Sequence, residues 1–462
     1  MVRSPKLNTV DFLQQMQKMP HVTIKEVELS THLIHILYIP GITDTKRIQG
    51  SILQPLMEYD TKGKGSVTHA FSAEPLICLE EIDDAHHHLL DGFTLLIEEE
   101  TLYAIDSAKF SYRSVQEPVS EMTLRGARDG FIESLDENIA LLRVHLRTND
   151  LAFENFTIGK KSFTNVSLAY MKGEANEELL SDVRTRLQQV NATYIPDGGV
   201  VEQLLEKNSY SLFPEIQETE RPTKVSSALV EGKIAIFVEG SPTVLLAPTT
   251  LNALFQKADD YNFKWIPATL IRLMRYFAAV ISVMLPSIYI SLISFHQGLI
   301  PTDLAISISK TREGVPIPSF MEALIMQITI EVLREAGIRL PKPIGPAVSI
   351  VGAIVLGEAA VTAGIISPLM VIVVSFAAIC SFTIPDYGLS LALRSISFAM
   401  LFAAALLGIY GLILAIFVLS IHLVRLKSFS VPYLEPFAPY YVNRWKDSII
   451  RMKLKKGSGN NE

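Results

Sequence analysis

Cysteine is nearly absent: the 462 residues contain two, Cys78 and Cys380. That excludes a disulfide scaffold, and two thiols so far apart in the chain read as inert rather than as redox partners. Charge is scarce as well. Charged residues make up 19% of the chain, against about 25% in ordinary soluble domains. The 49% hydrophobic content excludes a disordered or collagen-like chain. A net charge of −7 supplies no basic footprint for nucleic acid. The first residues, MVRSPKLNTVDFLQQMQK, lack an apolar core of signal-peptide length, so no cleaved export signal is expected. GxSxG, HExxH and dinucleotide-binding signatures are missing too, so the reading is of a non-enzyme needing no metal or cofactor.

What is present is unevenly distributed. Residues 1–264 hold 25 Lys and Arg against 38 Asp and Glu, a balance of −13. Residues 265–462 hold 16 and 10, a balance of +6. An acidic, water-compatible half therefore precedes an apolar, charge-poor one, the pattern of a soluble region followed by a membrane domain.

The second half contains runs long enough to cross ~30 Å of hydrocarbon, which takes roughly 20 apolar residues. Residues 277–295 carry no charge, and neither do residues 398–423. Residues 347–383 contain one charge, Glu358, and Gly364 and Pro368 divide them into spans near 347–365 and 366–384. The 14-residue run 320–333 carries Glu322 and Glu331, and its length predicts an interfacial or re-entrant helix. Lys264, Arg272 and Arg275 precede the first span, and Arg425, Lys427 and further basic residues follow the last. Both flanks then read as cytoplasmic, which requires an even number of crossings, four in the simplest case. Arg334, Arg339 and Lys342 fit that four-span arrangement poorly.

The first half reads as α/β. Apolar strand-like runs at 32–39, 93–97, 102–105, 166–171 and 234–238 alternate with helical patterns such as 177–190. Residues 33–56 and 166–190 share one order: apolar strand, glycine-containing turn, polar helix start. Two related α/β subdomains are expected, at 1–130 and 131–264. A membrane domain at 265–423 and a basic cytoplasmic tail at 424–462 follow.

Few residues here carry recognisable chemistry. Residues 61–66, TKGKGS, fail as a phosphate loop, because Glu58 stands where the first glycine belongs and Gly65 where Ser or Thr must follow Lys64. His86, His87 and His88 have no cysteine or carboxylate spacing to complete a metal site. The informative positions are in the membrane half. Ala353, Gly357, Ala360 and Gly364 place small side chains on one helical face, allowing close helix approach. Glu358 lies beside that stripe, and a carboxylate at bilayer depth faces water, a pore or a partner helix. Glu322 and Glu331, nine residues apart, point to opposite sides of one helix.

Six blocks carry a family resemblance. They are RSVQEPVSEMTLRGARDGFIESLDENIALLR (113–143), ERPTKVSSALVEGKIAIFVEGSPTVLLAP (220–248), LIRLMRYFAAVISVMLPSIYISLISFH (270–296), and residues 299–345, 347–374 and 381–394. Together they resemble the A subunit of the GerA-type nutrient germinant receptors of endospore-forming bacteria. Pro346 and Glu358 stand where the family often has Gln. The resemblance implies an inner-membrane protein of the spore with a cytoplasmic N-terminal region. It implies work alongside a transporter-like B subunit and a lipoprotein C subunit. It further implies a homo-oligomer, a pentamer, forming a ligand-gated conduit for monovalent cations. A non-conducting relay subunit, or the accessory homologue associated with the spore dipicolinic-acid channel, is the alternative.

Overall fold

The computed structural model describes residues 9–17, 22–29, 33–40, 42–60, 71, 76–79, 82–98, 101–108, 118, 121, 125–340, 355, 357–440 and 447–452. The chain divides into two compact units, residues 1–209 with 216–248, and residues 210–215 with 249–462. The division thus falls before the composition break at 264.

The first unit contains one arrangement twice. Helix α1 (Thr9–Gln17) leads into strands β1 (Thr23–Glu28) and β2 (Leu33–Tyr38). Helical turns over residues 45–60 follow, then β3 (Ile77–Leu79), α2 (Ile82–Leu90), β4 (Thr94–Glu98) and β5 (Thr101–Ile105). The second copy runs α3 (Leu135–His145), β6 (Leu151–Ile158), β7 (Thr164–Met171), α4 (Glu177–Gln189), α5 (Gly198–Leu205), β8 (Gln217–Thr219), α6 (Pro222–Val230), β9 (Ile234–Val238) and β10 (Val244–Ala247). The strand orders are β1-β2-β4-β5-β3 and β6-β7-β9-β10-β8, the same topology twice, with every pair antiparallel.

The central strands read as continuous apolar runs because helices cover both faces of each sheet. On the first sheet, Leu37, Leu95 and Ala104 meet Phe12 and Met16 of α1 and Leu89 of α2. Ile34, Ile36 and Leu96 meet Ile48, Ile52 and Leu56 on the other face. On the second, Phe153, Ala235, Phe237 and Leu246 pack on Ile139 and Leu142 of α3 and Val225 and Leu229 of α6. All five residues of β9 are buried.

The second unit is helical. After α7 (Leu251–Phe255) and α8 (Asp259–Asn262) comes α9 (Trp265–Ser294), 30 residues with Pro286 inside it. At 1.5 Å per residue it is about 45 Å long. Then follow α10 (Thr302–Thr311), α11 (Ser319–Arg339), α12 (Pro368–Ser381), α13 (Tyr387–Leu407) and α14 (Ile409–Arg425). Residues 357–362 are also helical. Side-chain contacts set the directions. Ser294, at the end of α9, bonds Ser319, at the start of α11, at 2.8 Å. Arg334, late in α11, bonds Ser381, the last residue of α12, at 2.9 Å. Helices α11 and α12 therefore run together, antiparallel to α9. Gly388, at the start of α13, packs on Pro214, and His422, in the last turn of α14, bonds the neighbouring Ser211. The two ends of the α13–α14 pair lie together.

Two expectations change here. Residues 398–423 are not one span: the run breaks at Gly408, which adopts φ +61° and links α13 to an antiparallel α14. No polar residue marks the turn. Glycine does, because a β-carbon on Gly411 would stand 2.1 Å from the Ala403 carbonyl oxygen. Residues 320–333 also lie within a longer helix than the 14-residue run suggested. Helix α11 is 21 residues long, about 31 Å. It continues past the apolar run because its terminal charges are paired, Arg334 with Glu331 at 3.0 Å and Arg339 with Glu335 at 2.6 Å.

Candidate functional site

The carboxylates predicted at membrane depth take three different surroundings. Glu322 is completely buried in the first turn of α11. Its Oε1 accepts from Arg312 Nη2 at 3.0 Å, and its Oε2 accepts from the backbone N–H of Ser367 at 2.8 Å. Ser367 is the N-cap of α12, whose Pro368 sits at the first helical position, so Glu322 joins the end of α10 to the start of α12. Arg312 Nε is buried without a partner among the described residues.

Glu331 lies about two and a half turns further along and does not share a site with Glu322. It bridges two arginines, accepting from Arg334 Nη1 at 3.0 Å and from Arg394 Nη1 of α13 at 2.8 Å. Arg334 also donates to Ser381, and Gln327 donates to Ser397 Oγ at 3.0 Å. Arg334 stacks over Phe382 and Arg394 over Tyr387, the centroids 4.6 and 6.0 Å away. Ser282 and Pro286 of α9 border the same group. Pro286 removes the donor that would serve the Ser282 carbonyl, leaving an acceptor there.

Glu358 is exposed, and no hydrogen bond or ion pair engages its carboxylate among the described residues. Its neighbours in the small-residue stripe turn inward. Gly357 is buried, where a β-carbon would meet Val371 of α12 at 3.8 Å. Ala360 packs on the cluster of Tyr289, Ile290 and Met370, and Gly364 turns the chain at φ +67°. The inward face of this segment is thus filled by its own chain, while Glu358, Val355 and Ile365 face outward. Ala353 lies outside the described residues, as do most of 347–356 and the TKGKGS loop.

A further charged group stands at the start of α9. Asp260 of α8 accepts from Arg272 Nε at 3.1 Å and from both terminal nitrogens of Arg275 at 2.8 and 2.6 Å. Arg272 also donates to Asp447 at 2.9 Å, fastening the tail to α9. Burial pushes the Asp260 carboxyl up, but the hydrogen bonds and charge of Arg275, with those of Arg272, outweigh it and hold it below the ordinary range.

His86 and His88 bond the carbonyls of Ile82 and Asp84 within their own helix, and no metal-binding group of three or more ligands occurs among the described residues. Sequence reasoning had not singled out Arg312, Gln327 or Arg394. For Arg394 a signal existed: it is the lone charge within the 21 residues of α13.

Residues 11–461 match the family described as Bacillus/Clostridium GerA spore germination protein. Spore germination protein A1 of Bacillus subtilis (strain 168) is 39% identical over 98% of this chain and 92% of its own length. The uncharacterized membrane protein YfkQ of the same organism is 38% identical over 90% of this chain and 82% of its own. Among solved structures, the N-terminal domain of the A subunit of the Bacillus megaterium spore germinant receptor GerK3 matches with 26% identity and a TM-score of 0.40. That match covers 53% of this chain and 97% of that one.

Proposed function

Because the chain belongs to the GerA spore germination protein family, we propose that it is the A subunit of a nutrient germinant receptor. Its helical unit spans the spore inner membrane several times and oligomerises, as a pentamer, around a conduit for monovalent cations. A transporter-like B subunit and a lipoprotein C subunit complete the receptor. Helices α9 and α13 have the length and apolarity to cross a bilayer. The directions of the helices support an even number of crossings. Lys264, Arg334, Arg339 and Arg425 gather toward the end of the bundle where α9 begins and α14 finishes, which reads as cytoplasmic.

The observation that carries the conduit reading is Glu358. A carboxylate on an outward face amid Val355 and Ile365, unpaired among the described residues, is costly against lipid, on the order of 3 kcal/mol. Water in an axial pore removes that cost, and a ring of such carboxylates favours cations. The test is nutrient-triggered potassium release from spores carrying Glu358→Gln or Glu358→Lys, with receptor abundance measured alongside. Charge reversal should cut release roughly tenfold or more, on the scale of ~1 kcal/mol or more per close charge, at unchanged abundance. A parallel fall in abundance and release, with cation selectivity intact, would favour the relay reading instead.

A further inference from the structure

Two arginines share one carboxylate inside the helical unit. Arg334 and Arg394 are covered, their side chains only 11% and 12% exposed, and the acid partner of both is Glu331. Among the described residues the group therefore carries one uncompensated positive charge. A buried charge without a counterion costs several kcal/mol. The nearby acids are engaged elsewhere: Glu335 pairs with Arg339, and Asp386 caps the backbone of Leu389.

The same place has space and unspent polar atoms. A cavity of about 30 Å³ is bordered by Gln327, Arg334, Ser381, Arg394 and Ser397, with the Glu331 carboxylate already counted in the charge of the group. Among the described residues Arg334 Nε is buried without a partner, and so is the Gln327 carbonyl oxygen. The Gln327 amide reverses without loss, since the Ser397 hydroxyl serves as donor or acceptor, and reversal makes its unpartnered atom an N–H₂ donor. Guanidinium, amide and hydroxyl donors then surround one small space. Water fits it but does not balance the charge, and a volume of about 30 Å³ matches one monatomic ion.

We propose that this cavity binds a monatomic inorganic anion of the halide class, which completes the Glu331–Arg334–Arg394 group and locks α11, α12 and α13 together. The site belongs to a single protomer, so it stands or falls separately from ion conduction through an oligomer.

The test uses the full chain purified in detergent, with thermal unfolding followed in sodium bromide against sodium gluconate at equal ionic strength. Wild type should gain stability with bromide along a saturating curve, as for any ligand that binds only the folded state. Arg394→Gln, which removes the surplus charge, should abolish that gain. Glu331→Gln, which keeps both cations and removes their anion, should lower the bromide concentration giving half the effect, so the proposal stays testable even if Arg394→Gln does not fold. Equal wild-type midpoints in the two salts would overturn it, as would the same bromide gain in Arg394→Gln or an unchanged half-effect concentration in Glu331→Gln.

Discussion

Charged residues in the helical unit hold its ends together. Asp260 is the sharpest case, because two guanidiniums converge on one fully buried carboxylate. Asp260→Asn leaves Arg275 without an acid and Arg272 with Asp447 alone. Breaking a buried pair by removing one partner costs about 3–5 kcal/mol, so the thermal midpoint of the purified protein should fall. The pH dependence has a definite sign. The folded-state carboxyl lies below its ordinary value. Its contribution is therefore fully present above the unfolded-state pKa and is lost as pH falls through the depressed folded-state value. The gap between wild type and Asp260→Asn should narrow over that acidic range. A gap independent of pH would show that Asp260 acts by shape alone. Glu322 and Glu331 were visible in the sequence as residues on opposite faces of one helix, a matter of 3.6-residue periodicity. The local pairing of Glu331 with Arg334 was legible too, but their other partners were not, because Arg312 and Arg394 lie outside the helix, 10 and 63 residues away in the chain.

At the level of elements, the informative feature is the turn at Gly408. Hydropathy sums side chains and carries no record of chain reversal, so 26 uncharged residues look like one span. The reversal depends on backbone conformation at Gly408 and on close approach at Gly411. Accessibility of introduced cysteines separates the two arrangements. In a background with Cys78 and Cys380 replaced by Ser, Tyr387→Cys and Ile421→Cys should react with a membrane-impermeant thiol reagent from the same side of the membrane. A single helix over 398–423 would put the ends of that run on opposite sides. Helix α11 teaches the complementary lesson: its apolar run stopped at residue 333, yet paired charges carry the helix to Arg339.

For the whole molecule, the exposed apolar surface of the helical unit is the dominant property. Leu270, Leu273, Met274, Phe277 and Val280 recur at helical spacing on α9, as do Ile413, Leu414, Phe417, Val418 and Ile421 on α14, all largely exposed. Such stripes exceed what a soluble monomer leaves open and fit lipid or a neighbouring subunit. Phe417→Asp should cost about 3 kcal/mol at mid-span and reduce carbonate-resistant recovery in membranes. Tyr210→Asp, at a fully exposed loop position, should leave recovery unchanged. The first unit obeys different rules. Its duplication is complete in the structure, helix and five strands in one order twice. Only the stretches 33–56 and 166–190 disclosed it beforehand, since the two copies share a burial pattern more than they share residues.

Composition, charge asymmetry and periodicity by themselves determined the acidic α/β half, the apolar helical half, most strands, and the positions of the carboxylates within the apolar half. Those are local or summed properties of the chain, readable without knowing what touches what. The tertiary structure alone decided the antiparallel order of each sheet, the hairpin at Gly408, the inward turn of Gly357 and Ala360 with Glu358 outward, and the meeting of Arg334 and Arg394 on Glu331. Each of these depends on groups distant in sequence coming within a few ångströms, where sterics and electrostatics act.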